Sequence, residues 1–198
     1  MKTLALNIRM QGRQVVVIGG GTVALRKLRT LLRAGAAVTL ISKTICPEIA
    51  ALADSGAIVL LTGGYAAPYL DDAFLVIAAT DDAAVNAQIS EDAHNRGILI
   101  AVADNPAAGN CIFPATLQRG DLEIAVSTGG RCPTFAVDVR DSISAHIGHE
   151  YGDILNSLAV EREKLLTNGS SSTYNTQVLR SLATRLLTEL TERKESLP

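Results

Sequence analysis

Residues 14–27 read Gln14-Val15-Val16-Val17-Ile18-Gly19-Gly20-Gly21-Thr22-Val23-Ala24-Leu25-Arg26-Lys27. Four consecutive β-branched residues, Val15 to Ile18, describe a strand buried on both faces. The strand runs directly into three glycines, and then into a helical pattern carried by Leu25, Leu28, Leu31 and Leu32. Strand, glycine turn and helix in immediate succession match G-x-G-x-x-[GA], with Gly19, Gly21 and Ala24 at the fixed positions. In that motif the first glycine permits the tight turn and the second lets a pyrophosphate approach the backbone. The small third residue keeps the helix close to the sheet. The unpaired N–H groups at the helix start then face the anion. The reading is a Rossmann-type α/β fold with a dinucleotide site.

Arg26 and Lys27 fall in the opening turns of this helix, where cations oppose the macrodipole. Two readings stand side by side. Either they form a solvated face, or a further anion lies beyond the cofactor phosphates.

The 198 residues suffice for one such domain and a smaller extension. With 47% apolar and 19% charged residues a sizeable core can form, and a net charge of −2 argues against a general nucleic-acid binder. No apolar run reaches transmembrane length, and the first twelve residues lack the apolar centre of a signal peptide. Cys46, Cys111 and Cys132 are odd in number and far apart, so they write neither a disulfide framework nor a zinc site. A reduced, cytoplasmic protein with no membrane contact is expected.

Further along, Leu4, Leu6 and Ile8 alternate with other residues, predicting a short strand at a sheet edge. Gly35 ends the fingerprint helix, and Ala37 to Ile41 is a second strand. The position after it, where a Rossmann domain expects an acid for the ribose, holds Ser42, followed by Lys43 and Thr44. Lys43 would tolerate a 2′-phosphate, which leaves NAD and NADP unseparated. A short helix from Pro47, strands over 58–61 and 74–79, a helix over 83–95 and a strand over 98–102 complete the alternation.

Ligands of open α/β sheets lie beyond the carboxyl ends of the strands, which makes Thr80 a cofactor neighbour and Asp82 or Asp81 a helix cap. Asp104 follows the fifth strand, before the turn-prone Asn105-Pro106. It either faces a substrate or initiates a loop, and pattern alone does not choose.

After Asn110 the periodicity changes. Residues 112–115 and 122–127 read as two strands outside the parallel series, joined at Arg119-Gly120-Asp121. The loop Ser127 to Cys132 enters a helix at Pro133. His146 and His149 lack a third ligand and read as surface residues, so no metal site is expected. A flexible break is expected at Asn168 to Ser172, then a last helix from Thr176 with Leu179, Leu182, Leu186 and Leu190 along one stripe. Residues 196–198 read as a frayed end. The expected organisation is an NAD-binding domain over 1–113, a dimerisation and substrate-site segment over 114–150, and a helical region over 151–198.

Gly19 to Lys27, Ala78-Ala79-Thr80-Asp81-Asp82, Val102-Ala103-Asp104-Asn105-Pro106 and Ala125 to Gly130 before Pro133 occur here in an order and spacing that closely resemble one family. It is the siroheme-synthase N-terminal family, the precorrin-2 dehydrogenases and sirohydrochlorin ferrochelatases. The resemblance covers most of residues 1–150. It implies NAD-dependent oxidation of precorrin-2 to sirohydrochlorin, followed in some members by insertion of ferrous iron, and a homodimeric assembly. It implies that Asp104 is the catalytic aspartate, that Thr22, Val23, Lys43 and Thr44 contact NAD, and that Thr128 stands near the tetrapyrrole, where serine is common. Ser42 agrees with the family, and the methyltransferase domain fused to some relatives is not expected after Pro198.

Precorrin-2 carries many carboxylates while this chain is slightly acidic, so recognition needs a local basic cluster. Arg26, Lys27, Arg119 and Arg131 are the candidates. The apolar strands after Asn110 and the last leucine stripe independently favour a homodimer. Among rivals, a short-chain dehydrogenase needs Tyr-x-x-x-Lys, which none of Tyr65, Tyr69, Tyr151 or Tyr174 supplies. A hydroxy-acid dehydrogenase wants a histidine beside the sheet, and here His94 falls on a helix. A non-catalytic NAD-binding regulatory module would have no use for Asp104 or the 127–130 loop.

Overall fold

The structure, a computed structural model, describes residues 2–169 and 172–195. The chain divides into two compact units, Met1–Phe113 and Pro114–Pro198.

The first unit is built on five parallel strands in the order β3-β2-β1-β4-β5. They are β1 (Gln14–Ile18), β2 (Ala37–Ser42), β3 (Val59–Thr62), β4 (Leu75–Ala78) and β5 (Leu99–Val102). Helices α1 (Thr22–Arg33), α2 (Pro47–Asp54) and α3 (Ala83–Asn95) alternate with them. The apolar run of β1 alternates between two cores, as strand geometry requires. Val15 and Val17 pack with Leu25, Leu28 and Leu31 of α1, and with Leu40, Leu75 and Ile77. Val16 and Ile18 pack with Ile41, Val76, Ile89 and Ile100 on the face covered by α3. A strand that feeds both faces must be apolar throughout, which is why Val15 to Ile18 carries no polar residue.

The predicted strand over Leu4 to Ile8 does not form, and these side chains remain exposed. Alternation sets where side chains point, but a strand also needs a ladder partner, and residues 4–8 pair with neither edge strand, β3 or β5. The outer edge of β5 is already occupied: Asn110 accepts the Ile100 N–H at 2.7 Å and donates to the Ile98 carbonyl at 2.9 Å. The N–H groups of Asn110 and Cys111 both reach the Ile100 carbonyl.

In the second unit, β6 (Ala115–Arg119) and β7 (Leu122–Val126) form an antiparallel hairpin. Its two-residue turn begins at Gly120, whose φ of 59° suits glycine at that position. The strand expected from Ile112 starts only at Ala115, because Pro114 lacks the N–H that a ladder requires. Helix α4 (Pro133–His146) lies on the hairpin. Helix α5 (Glu150–Thr167) packs on both the hairpin and α6 (Ser172–Glu195). Leu179, Leu182, Leu186 and Leu190 of α6 are half-buried. In the break expected between these helices, Asn168 caps α5. Ser170, Ser171 and the end expected to fray, 196–198, lie outside the described residues. Among the described residues no helix is long and apolar enough to cross a membrane.

Candidate active site

Three strand ends build the site in the first unit. Gly19 follows β1, and its φ of 118° carries the chain away from the strand. A Cβ there would overlap the Ala79 carbonyl oxygen and lie 2.6 Å from its carbon, so only glycine lets the turn pack against the end of β4. Gly20 is equally constrained from the other side. A Cβ on it would overlap the Thr44 carbonyl oxygen and approach Ser42 Oγ to 2.8 Å. The Cys46 N–H donates to the Gly20 carbonyl at 2.9 Å, and Ser42 Oγ donates to the Thr44 carbonyl at 2.6 Å. Ser42 thus folds the Lys43-Thr44 loop alongside the glycine turn.

Gly21 differs from both, because nothing lies within 4 Å of a Cβ built on it. It is the N-cap of α1, with no side-chain hydrogen bond to the helix start and no acid in the first turn. Ala24 is fully buried against the core, as a helix held close to the sheet requires. Thr22 and Val23 stand exposed at the helix start. An open approach, uncapped N–H groups and the positive end of a twelve-residue helix suit a pyrophosphate. The residues present therefore fit a dinucleotide, with Lys43 and Thr44 exposed on the neighbouring loop.

Thr80 and Asp104 follow β4 and β5. Thr80 Oγ1 lies 2.8 Å from Asn86 Oδ1 and 3.1 Å from the Asp82 carbonyl, and accepts the Asp82 N–H. Its hydroxyl is turned into the protein and its backbone N–H and carbonyl are both bonded to the Asn86 side chain, so Thr80 offers a ligand only a half-buried surface. Asp82 caps α3, its Oδ1 accepting the N–H groups of Ala84 and Val85. Asp104 is exposed, and its Oδ1 accepts from Asn86 Nδ2 at 3.0 Å. Its second oxygen has no partner among the described residues. A carboxylate anchored by one oxygen and open at the other is placed to exchange protons with a ligand.

Arg26 is exposed, whereas Lys27 is half-buried with its Nζ 4.1 Å from the centroid of the Phe113 ring. The ring attracts the ammonium, but burial, followed by the charge of Arg26, disfavours it more strongly. The Lys27 pKa is lowered to about 8. Burial also pushes the nearby Cys111 thiol up to about 11.

The remaining candidates belong to the second unit. Arg119 is engaged within that unit: its Nε donates to the Ile147 carbonyl at 2.8 Å and its Nη2 to Ser144 Oγ at 2.8 Å. Its guanidinium ties the end of β6 to the end of α4, which leaves few donors for a substrate carboxylate. Thr128 Oγ1 donates to the Cys132 carbonyl at 3.0 Å and accepts the Cys132 N–H, closing the loop before α4. Arg131 on that loop is exposed.

Two residues of the first unit escaped the sequence reading. Gly20 was hidden inside a triplet whose other members match the motif. Asn86 falls within a helical pattern, where a polar residue on the buried stripe with Ile89 and Ala93 is the legible signal.

The family model NAD_binding_7, NAD(P)-binding, matches residues 6–115. The siroheme synthase of Pseudomonas entomophila (strain L48) is 41% identical over 165 residues, covering 83% of this chain and 36% of that protein. The siroheme synthase of Ectopseudomonas mendocina (strain ymp) is 45% identical over 156 residues, 79% of this chain and 33% of that protein. The chain thus spans about a third of the length of the curated relatives it matches. A solved structure, "SirC, precorrin-2 dehydrogenase", shares the fold with a TM-score of 0.78 at 24% identity, covering 96% of this chain and 100% of that one. With the glycine turn, the nicotinamide-cofactor fold and these relatives in agreement, the chain belongs to the NAD(P)-binding NAD_binding_7 family, as a member of the siroheme-synthase N-terminal family.

Proposed function

We infer that the protein is a precorrin-2 dehydrogenase, oxidising precorrin-2 to sirohydrochlorin with NAD in siroheme biosynthesis. The observation that carries this reading is Asp104, fixed at the end of β5 by one carboxylate oxygen, with the other free. It shares the carboxyl edge of the sheet with the uncapped start of α1.

Bound NAD supplies the hydride acceptor. The chain itself does the rest. Gly21 and the N–H groups of Thr22 and Val23 receive the pyrophosphate, while Lys43 and Thr44 flank the nucleoside side. Loss of two hydrogens from precorrin-2 releases one hydride and one proton, and Asp104 Oδ2 takes the proton. Within the first unit, Arg26 and Lys27 offer cations to the carboxylates of the substrate. The same free oxygen suits a carboxylate that receives pyrrole protons as iron enters the ring, so insertion of ferrous iron into sirohydrochlorin is a second activity of this site.

Homodimerisation through 114–150 and α6 is supported by apolar side chains exposed on those segments, Phe135 and Val137 on α4 and Leu187 on α6. The three free cysteines support a cytoplasmic location.

The test is direct. Purified protein mixed with NAD and precorrin-2 is followed by visible absorption, with sirohydrochlorin and NADH forming together. Ferrous iron added to sirohydrochlorin under anaerobic conditions tests the second activity. A folded, NAD-binding protein that leaves precorrin-2 unchanged would refute the dehydrogenase assignment.

A further inference from the structure

Asn86, Ile89, Ser90 and Ala93 recur along α3 at the spacing of one helix face, and all four are buried. Asn86 is only 1% exposed. A primary amide carries two donors and two acceptor lone pairs, each costly to leave unmet in a dry interior. Here all four are met. Oδ1 accepts the Thr80 N–H at 3.2 Å and lies 2.8 Å from the Thr80 hydroxyl. Nδ2 donates to the Thr80 carbonyl at 3.1 Å and to Asp104 Oδ1 at 3.0 Å. The orientation is forced by its partners. Rotating the amide by half a turn would set Nδ2 against the Thr80 N–H and set the oxygen against the Asp104 carboxylate.

Filling space alone would be served by leucine at this position, without any polar group to satisfy. We propose that Asn86 is a positioning residue, holding the Asp104 carboxylate in register with the strand end on which the glycine turn rests. Gly19 packs on Ala79, Ala79 is bonded to Thr80, Thr80 is gripped from three sides by Asn86, and Asn86 holds Asp104. Asp104 sits on an exposed turn, where a carboxylate without such a partner samples several rotamers. One hydrogen bond selects the rotamer that leaves Oδ2 outward. The inference rests on the reading of Asp104 as the proton-handling group.

The test is a double-mutant cycle on the full chain. Asn86→Ala is expected to lower kcat for precorrin-2 oxidation by about 10²-fold, the scale of a misplaced reacting group. KM and NAD affinity should hold. Made on an Asp104→Asn background, the same substitution should change kcat little, because there is no longer a proton acceptor to misplace. An equal loss of kcat in both backgrounds means a merely structural role and overturns the proposal. Asn86→Ser, which keeps a small polar group, takes the place of Asn86→Ala should the latter fail to fold.

A second measurement needs no turnover. In ¹⁵N spectra of the protein alone, the Asn86 side-chain amide should be protected from exchange and should shift on Asp104→Ala. Resonances unmoved by that substitution overturn the contact. Wild-type protein that makes no sirohydrochlorin would sink the dehydrogenase reading instead, and the amide resonances would still decide whether Asn86 holds Asp104.

Discussion

Gly21→Asp should move stability and cofactor binding in opposite directions. The site is an extended N-cap, with φ −90° and ψ −171°, and a Cβ meets nothing within 4 Å. Aspartate is therefore accommodated without strain, and its carboxylate is placed to accept an N–H from the first turn of α1, which has no side-chain cap. A capping acid gains a few tenths of a kcal/mol over glycine, its charge at the positive helix end adds about 0.3–1, and loss of glycine entropy in the unfolded chain adds about 0.4–1. The fold should gain on the order of 1–2 kcal/mol. The same carboxylate takes the N–H groups that a pyrophosphate needs and opposes its charge. A like-charge contact at about 4 Å costs about 4 kcal/mol at an effective dielectric of 20, so NAD affinity should fall by at least about 10²-fold. Gly19→Ala is the contrast. Its Cβ would overlap the Ala79 carbonyl at a φ reserved for glycine, and overpacking plus backbone strain should cost about 2–5 kcal/mol. Urea unfolding reads the stabilities and titration calorimetry reads the affinities. Destabilised Gly21→Asp protein would refute the cap geometry, and folded Gly21→Asp protein that binds NAD as tightly as wild type would refute the pyrophosphate site.

Asp104→Asn keeps the oxygen that accepts from Asn86 and loses only the proton acceptor, so oxidation should slow by about 10²–10⁴-fold with NAD binding intact; activity within about threefold of wild type rules out acid–base work at this residue. Lys27 is an ammonium below about pH 8, so precorrin-2 should bind more weakly as pH rises through about 8, and Lys27→Arg should flatten that profile in KM measurements. The folded protein holds this proton less tightly than the unfolded chain, whose lysine titrates near 10.5. Stability attributable to Lys27 therefore rises between about pH 8 and 10.5, and Lys27→Met should stabilise most below pH 8; a pH-independent difference in urea midpoints contradicts the burial of the charge. Arg119→Met removes bonds to Ile147 and Ser144 and should cost about 1–3 kcal/mol of stability with KM unchanged, whereas a raised KM at full stability returns Arg119 to substrate binding. Light scattering at micromolar concentration should report a dimer, and a monomer would remove the assembly proposal.

The sequence by itself determined the doubly covered parallel sheet. Val15 to Ile18 has no polar face, and a strand without one is stable only between two helical layers. It also determined the glycine turn and the carboxyl-end positions of Thr80 and Asp104, because each follows an apolar run that can only be a strand. Local pattern did not reveal which edges were free. Leu4 to Ile8 alternates like a strand, yet it joins neither sheet edge, and the edge bonds of β5 go to Asn110, a hundred residues later. Nor did it reveal how side chains divide their hydrogen bonds. Arg119 and Thr128 look available in the sequence and are engaged with Ile147, Ser144 and Cys132. Asn86 looks like one more helical residue, and it joins the ends of two strands. Periodicity is a property of neighbours along the chain, whereas the partner of a buried amide or a guanidinium is whichever distant group the packed fold brings within 3 Å, and only the tertiary structure decides that.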